Sequence, residues 1–107
     1  MKMAEKLRAE RDERFKVVAR QRLECIESLR ARRDQVEQLV RKRERKGYSE
    51  ATIPLGSILT IVKPDVESPD DLAVKQAATT FFKDEGFSVT TESRIGKVSL
   101  LLMWRGK

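Results

Sequence analysis

The stretch FKVVARQRLECIESL, residues 15–29, decides how the N-terminal half of this chain folds. Neither it nor any other position from Met3 to Lys46 contains proline or glycine, and strong helix formers such as arginine, glutamate and leucine dominate. Gly47 follows a basic final turn, which suits both a glycine helix end and the negative end of the helix dipole. We therefore predict a single long helix over residues 1–46.

The apolar residues of this predicted helix lie on one side of it. They fall within a narrow sector at about 100° per residue, and they repeat better at eleven residues than at seven, which favours nearly straight packing. The column that shows the repeat most clearly contains Leu7, Val18, Leu29 and Val40. Cys25 and Val36 share its sector, and Ala4, Phe15, Ile26 and Leu39 flank it.

A helix of this length cannot bury its stripe within a small domain. It would be about 60 Å long, whereas a domain of about 60 residues has a radius of gyration near 10 Å. The stripe is therefore predicted to pack on a protein partner or on a second copy of the chain. The predicted contact residues are Leu7, Phe15, Val18, Ile26, Leu29, Val36, Leu39, Val40, Arg11, Arg22 and Arg33.

The arginines in that set form a row of their own. Arg11, Arg22 and Arg33 recur every eleven residues and lie inside the apolar stripe. Their aliphatic stems could cover the apolar seam while the guanidinium groups reach solvent or a carboxylate. Alternatively, they could bind phosphates or acidic side chains on the packing partner. Either interpretation places the three arginines at an interface.

Charge is distributed unevenly along the chain. Residues 1–46 hold 16 Lys and Arg against 9 Asp and Glu, a balance of +7, and the rest of the chain accounts for −1 of the net +6. Such a balance favours anionic partners, so a nucleic-acid contact is the alternative prediction. Its candidate residues are Arg41, Lys42, Arg43, Arg45, Lys46, Arg94 and Lys97. Acidic neighbours and the scatter of charges around the helix favour an ordinary solvated face for most basic residues of 30–46. The basic final turns, from Arg41 to Lys46, keep the nucleic-acid alternative open.

The second half of the sequence predicts a small α+β domain. Residues 47–56 are a connector, and 57–107 form the domain. We predict a strand at 57–62, a helix capped by Ser68 that begins at Pro69 and stops at Gly86, a strand at 87–93 and a final strand at 98–104. The fold class is thus a long helix followed by a β-α-β-β domain with a three-stranded mixed sheet, its last strand central, and one covering helix.

One helix covers only one face of such a sheet. The other face is predicted to hold Leu59, Ile61, Leu101 and Met103 and to need covering by the long helix, a second copy or another protein.

The sequence offers little for catalysis. It has no histidine, and its single cysteine, Cys25, lies in the helix stripe, where a small apolar residue is the ordinary interpretation. No phosphate-binding glycine loop, zinc spacing or nucleophile motif is present. We predict no enzyme, cofactor, metal site or small-molecule substrate.

No apolar run approaches the roughly 20 residues of a membrane span, and a single cysteine cannot form an internal disulfide. These observations predict an intracellular, soluble protein that does not contact membrane. The leading expectation is an interaction or assembly protein within a larger complex, including a viral or ribonucleoprotein particle, and the alternative is a nucleic-acid-binding protein.

Overall fold

The computed structural model describes residues 2–45 and 48–104. Within them the chain forms α1 (Met3–Ala31), α2 (Arg33–Arg43), β1 (Glu44–Arg45), β2 (Glu50–Pro54), α3 (Leu55–Val62), α4 (Asp71–Asp84), β3 (Ser88–Arg94) and β4 (Lys97–Met103). The predicted α+β class and the long N-terminal helix are confirmed. The molecule is elongated, with extents of 58 × 27 × 26 Å.

The predicted single helix is interrupted at Arg32. This residue has φ −110° and ψ 30° and separates α1 from α2. The backbone hydrogen bonds still run across the break, since Arg32 N–H donates to Ser28 O (3.0 Å) and Val36 N–H donates to Arg32 O (3.1 Å). The break is therefore a local distortion and not a loop. The predicted end at Lys46 lies outside the described residues, and the described helix already ends at Arg43.

The sheet has four strands in the described residues, where a three-stranded mixed sheet was predicted. The prediction of a mixed sheet is wrong, because all hydrogen-bonded neighbours are antiparallel. Its order is β1-β2-β4-β3. The last strand lies between the other two long strands, as predicted. The strand beside it, β2, comes from residues predicted to be the connector, where the alternation of buried Ala51 and Ile53 with Thr52 is typical of a half-buried strand.

The prediction of a strand at 57–62 is wrong, because these residues belong to helix α3. A short apolar run fits a buried strand or a buried helix equally well. The buried residues Leu55, Ile58 and Val62 are spaced by three and four positions, which is helical periodicity. This periodicity is present in the sequence, but it begins at Leu55, two residues before the predicted strand.

Three of the described helices, α2, α3 and α4, contact the sheet where one covering helix was predicted, and α1 packs on α4 and α3. The contacted face of the sheet is the apolar one. That face presents Ile53 beside Leu100 and Ala51 beside Leu102, and all four side chains are buried. The opposite face presents Leu101 and Met103 among threonine, serine and glutamate residues. Leu59 and Ile61, predicted for that same face, instead belong to α3 and pack against the core.

Helix α4 begins later than predicted. Its N-cap is Asp70, whose carboxylate accepts a hydrogen bond from Leu72 N–H at 2.9 Å. Ser68, the predicted cap, has φ +43° and lies outside the helix. The predicted stop is confirmed, since Gly86 follows the helix with φ +96°.

The β3–β4 hairpin contains an energetically unfavourable residue. Arg94 pairs with Lys97 across a two-residue turn in which Ile95 has φ +49° and Gly96 has φ +72°. Asparagine and glycine favour this left-handed conformation, whereas a β-branched residue is strained there. We expect Ile95→Asn to raise the free energy of unfolding by about 1 kcal/mol, measured by urea unfolding. Ile95→Val keeps the β-branch and should give no gain.

Candidate protein interface

The predicted contact residues divide into two groups at Val18. From Val18 onward, the stripe is buried by the chain itself, because α1 packs side by side with α4 and α2 packs on β2. The residues buried in this way are Val18, Ile26, Leu29, Val36 and Val40, with Leu39 half-buried against them. The sequence assigned these residues to a partner, and this is corrected: their own domain supplies the surface that covers them.

Before Val18 the stripe is uncovered. No residue from Lys2 to Val17 is buried or even half-buried, and we call residues 3–17 the arm. Leu7 and Phe15 keep exposed fractions of 57% and 54%, and Met3 and Val17 are also exposed, whereas Val18 falls to 4%. The arm is about 22 Å of helix that carries large apolar side chains in solvent.

Polar contacts hold the base of the arm against the loop before α4. Asp70 N–H donates to Gln21 Oε1 at 2.9 Å, and Gln21 Nε2 donates to Ser68 O at 3.4 Å. Arg14 forms an ion pair with the Asp70 carboxylate at 3.6 Å. These contacts fix the direction in which the arm extends from the rest of the fold.

A second set of contacts holds α1 where it meets α2. Ser28, a buried residue, donates from Oγ to Asp65 Oδ2 at 2.6 Å. Arg32 donates to both carboxylate oxygens of Asp65, at 3.0 and 3.3 Å. The Asp65 carboxylate therefore joins the helix break to the loop that follows α3.

Protonation of Asp65 should weaken this junction. Hydrogen bonds from Arg32 and from Ser28 lower the pKa of the Asp65 carboxyl below its ordinary 3.8. Because the folded-state pKa lies below the unfolded one, the stabilisation is complete above pH 3.8 and is lost as the pH falls through the folded-state value. We expect Asp65→Asn to lower the thermal midpoint at pH 7 and to flatten its fall below pH 3.8. Asp12→Asn, on the arm, is the control and should change neither.

The three arginines of the stripe have different surroundings. Arg11 lies on the arm with its guanidinium 5.5 Å from the centre of the Phe15 ring. Arg22 is exposed. Arg33 donates two hydrogen bonds to Glu85 at the end of α4, at 2.7 and 3.2 Å, and these bonds lower the pKa of the Glu85 carboxyl. Only the third arginine therefore has an interhelical carboxylate partner among the described residues.

The residues predicted to contact nucleic acid do not form one surface. Arg41 pairs with Glu37 at 3.2 Å, and Arg45 pairs with Glu50 at 3.3 Å and lies over the Tyr48 ring. Lys42 and Arg43 are exposed at the end of α2, and Lys46 is outside the described residues.

The remaining two candidates, Arg94 and Lys97, lie at the hairpin tip. Arg45 pairs with Glu50, which pairs with Met103. Lys97, at the hairpin tip, is six positions from Met103 along β4, which is about 20 Å. The two basic groups are therefore at opposite ends of the sheet.

One groove lies between α2 and the end of α4, with a volume near 430 Å³. Its floor is a row of edge-to-face rings, since Phe82 contacts Phe87 and Phe87 contacts Trp104, both at 5.7 Å between centroids. Its rim includes the Arg33–Glu85 pair. The sequence could not reveal this groove, because residues far apart in the chain line it.

Cys25 has no access to a substrate. Its side chain is fully buried, and burial, followed by the nearby Glu24 carboxylate, raises the pKa of its thiol above 9.0. Within residues 2–45 and 48–104, histidine, cysteine, aspartate and glutamate side chains do not gather in threes as a metal ion would require.

Along the same described residues, no helix combines the length and the apolar character needed to cross a membrane. Comparisons with protein-family models, curated proteins and solved structures found no match to this chain.

Proposed function

We propose that the protein is a non-enzymatic interaction or assembly component, in which the arm packs on a protein partner and the α+β body anchors it. The observation that carries the proposal is the exposure of the apolar stripe from Met3 to Val17, next to the same stripe in its buried form from Val18 onward. Large apolar side chains clustered on an exposed surface are typical of interaction sites.

The spacing on the arm supports helix recognition. Leu7, Arg11 and Phe15 follow one another at intervals of four residues, the spacing with which an amphipathic helix enters an apolar groove. A helix of about 15 residues is marginal in water without tertiary packing. Docking on a partner would supply that packing.

The proposal of a non-enzymatic role is supported by the burial of Cys25 and by the absence of histidine from the sequence. The general bases that remain are carboxylates and lysines. The Asp65 and Glu85 carboxylates are engaged by arginines and have lowered pKa values, which is opposite to the shift that a general base near neutral pH requires.

Site-directed photo-crosslinking tests the proposed function. A photoreactive residue is placed at position 7 or at position 23 of the full chain, in the cells that produce it. Leu7 and Leu23 are matched, since their exposed fractions are 57% and 60%, but Leu23 lies off the stripe. We expect a discrete protein adduct from position 7 and none from position 23. Equal labelling from both positions, or none from position 7, would contradict the proposal.

Nucleic-acid binding is the second proposal, favoured by exposed Lys42 and Arg43 at the end of α2. The ion pairs of Arg41 and Arg45 weigh against it. If this surface grips phosphates, the affinity for duplex or single-stranded nucleic acid should fall steeply with salt, and neutralising Lys42 and Arg43 should reduce that slope. A slope unchanged by the double substitution would remove this proposal.

A further inference from the structure

The eleven-residue repeat of α1 runs through both the buried stripe and the arm. Two repeats, or 22 residues, separate Ala4 from Ile26, Leu7 from Leu29, and Arg11 from Arg33. Each repeat of eleven residues makes about three helical turns. The two sets therefore occupy nearly the same side of the helix. Ile26 and Leu29 are buried within the chain, and Arg33 is paired with Glu85, so these three residues show what kind of surface the pattern accepts.

That partner surface is helix α4. Its buried side is rich in small residues, with Ala77 and Ala78 fully buried in the same core cluster as Leu29. Just beyond this apolar side, Glu85 receives both hydrogen bonds from Arg33. The stripe thus meets a helix whose buried side includes three alanines as well as Val74, Phe81 and Phe82. Arg33 binds a carboxylate at the end of that helix.

The arm presents an apolar stripe and an arginine as well, and no other part of the described chain packs on them. Leu7 is exposed, and Arg11, which lies between Leu7 and Phe15 on the stripe, holds its guanidinium 5.5 Å from the centre of the Phe15 ring. An arginine fixed in this way is suited to bidentate pairing with a carboxylate. Its charge would be unfavourable against a purely apolar surface.

We propose that the arm binds a helix of a different protein, one with a small-residue apolar face and a glutamate or aspartate at its edge that pairs with Arg11. This inference rests on the proposed function and specifies the chemistry of the partner. A designed acidic helix can therefore stand in for that partner in a binding experiment.

A second copy of the chain is a poorer occupant because of Arg11. Two arms paired in parallel and in register place Arg11 beside its own copy. An antiparallel pair that matches Leu7 with Phe15 is centred on residue 11, so it also brings the two Arg11 side chains together. Like charges facing each other at an interface are strongly unfavourable. A partner with a carboxylate at this position avoids the repulsion.

Two synthetic helical peptides, each about 20 residues long, test the proposal. Both carry an alanine and leucine stripe, and they differ only in having glutamate or lysine at the edge of that stripe. Binding to the full chain is followed by fluorescence anisotropy up to about 1 mM peptide. The glutamate peptide should bind at least about tenfold tighter than the lysine peptide.

Charge reversal at Arg11 provides the decisive comparison. Arg11→Glu should reverse the preference, so that the lysine peptide binds tighter, whereas Lys6→Glu, the same charge change on the other side of the arm, should leave it unchanged. Both positions are exposed, and circular dichroism checks that both variants fold. Equal binding of the two peptides, binding of neither, or a preference that survives Arg11→Glu would overturn the proposal.

Sedimentation of the native chain tests the second-copy alternative. We expect a 12.3 kDa monomer. A dimer that Leu7→Asp dissociates and Leu23→Asp does not would overturn the assignment of a different partner while leaving the arm as an interface. If position 7 gives a protein adduct but the glutamate and lysine peptides bind equally well, this inference is wrong while the proposed function stands.

Discussion

Replacing Leu29 by alanine is expected to lower the free energy of unfolding by about 3 to 5 kcal/mol. Leu29 has no exposed surface and belongs to the core cluster between α1, α3 and α4. The substitution removes buried methyl groups and leaves a cavity that a helix pair fixed at both ends by polar contacts cannot close. Equilibrium urea unfolding followed by circular dichroism measures the loss.

Leu23→Ala is the matched control, since it makes the same change in the same helix. Leu23 has an exposed fraction of 60%, so we expect a change within about 0.5 kcal/mol. Equal losses from the two substitutions would mean that the buried side of α1 has been misassigned.

Phe82→Ala is the second substitution with a large expected effect, also about 3 to 5 kcal/mol. Phe82 is only 1% exposed, and its ring contacts Phe81 and Phe87 edge to face, at 5.4 and 5.7 Å. The same change should loosen the floor of the groove between α2 and α4. Tryptophan fluorescence of Trp104, the last ring in the row, reports that loosening alongside the unfolding curve.

Phe15→Ala is the control for this prediction. The Phe15 ring is 54% exposed on the arm, so its removal should leave the free energy of unfolding within about 0.5 kcal/mol of native. The variant should nevertheless lose affinity for whatever binds the arm. A large loss of stability from Phe15→Ala would show that the arm belongs to the folded core.

The sequence predicted the helix stripe and the class of the fold, but it misjudged what covers the stripe. Burial of Leu29 follows from periodicity alone. Its cover, α4, lies more than 40 residues along the chain, and that helix was predicted to cover the sheet. In the structure α4 packs far more extensively on α1 than on β3. Periodicity identifies an apolar side and does not identify its neighbour.

The short elements were harder to predict for local reasons. Residues 57–62 are apolar on both sides, which cannot separate a strand from a helix over so few residues. Strand β2 was missed because its residues belong to the segment predicted as a connector, and a proline such as Pro54 is unusual inside a strand. The strands predicted at 87–93 and 98–104 correspond to β3 and β4, with each bound shifted by one residue.

The exposure of the stripe was predicted only in part. Leu7, Phe15 and Arg11 are exposed, and their role as contact residues stays a prediction, whereas Val36 and Val40 are core residues. Leu7 and Leu29 belong to the same column, and the sequence cannot distinguish them. What distinguishes the arm from the core is where α4 lies along the long helix. Contacts from Gln21 to Asp70 and from Arg33 to Glu85 fix that position.

Amide hydrogen exchange along α1 in the free, full-length protein tests the division at Val18 most directly. Exchange protection follows local packing, so we expect amides of the arm to exchange at least about 100-fold faster than those from Ala19 to Ala31. Addition of the acidic helical peptide should slow exchange in the arm only. Equal protection on both sides of Val18 in the free monomer would contradict the account, because the arm would then already be packed.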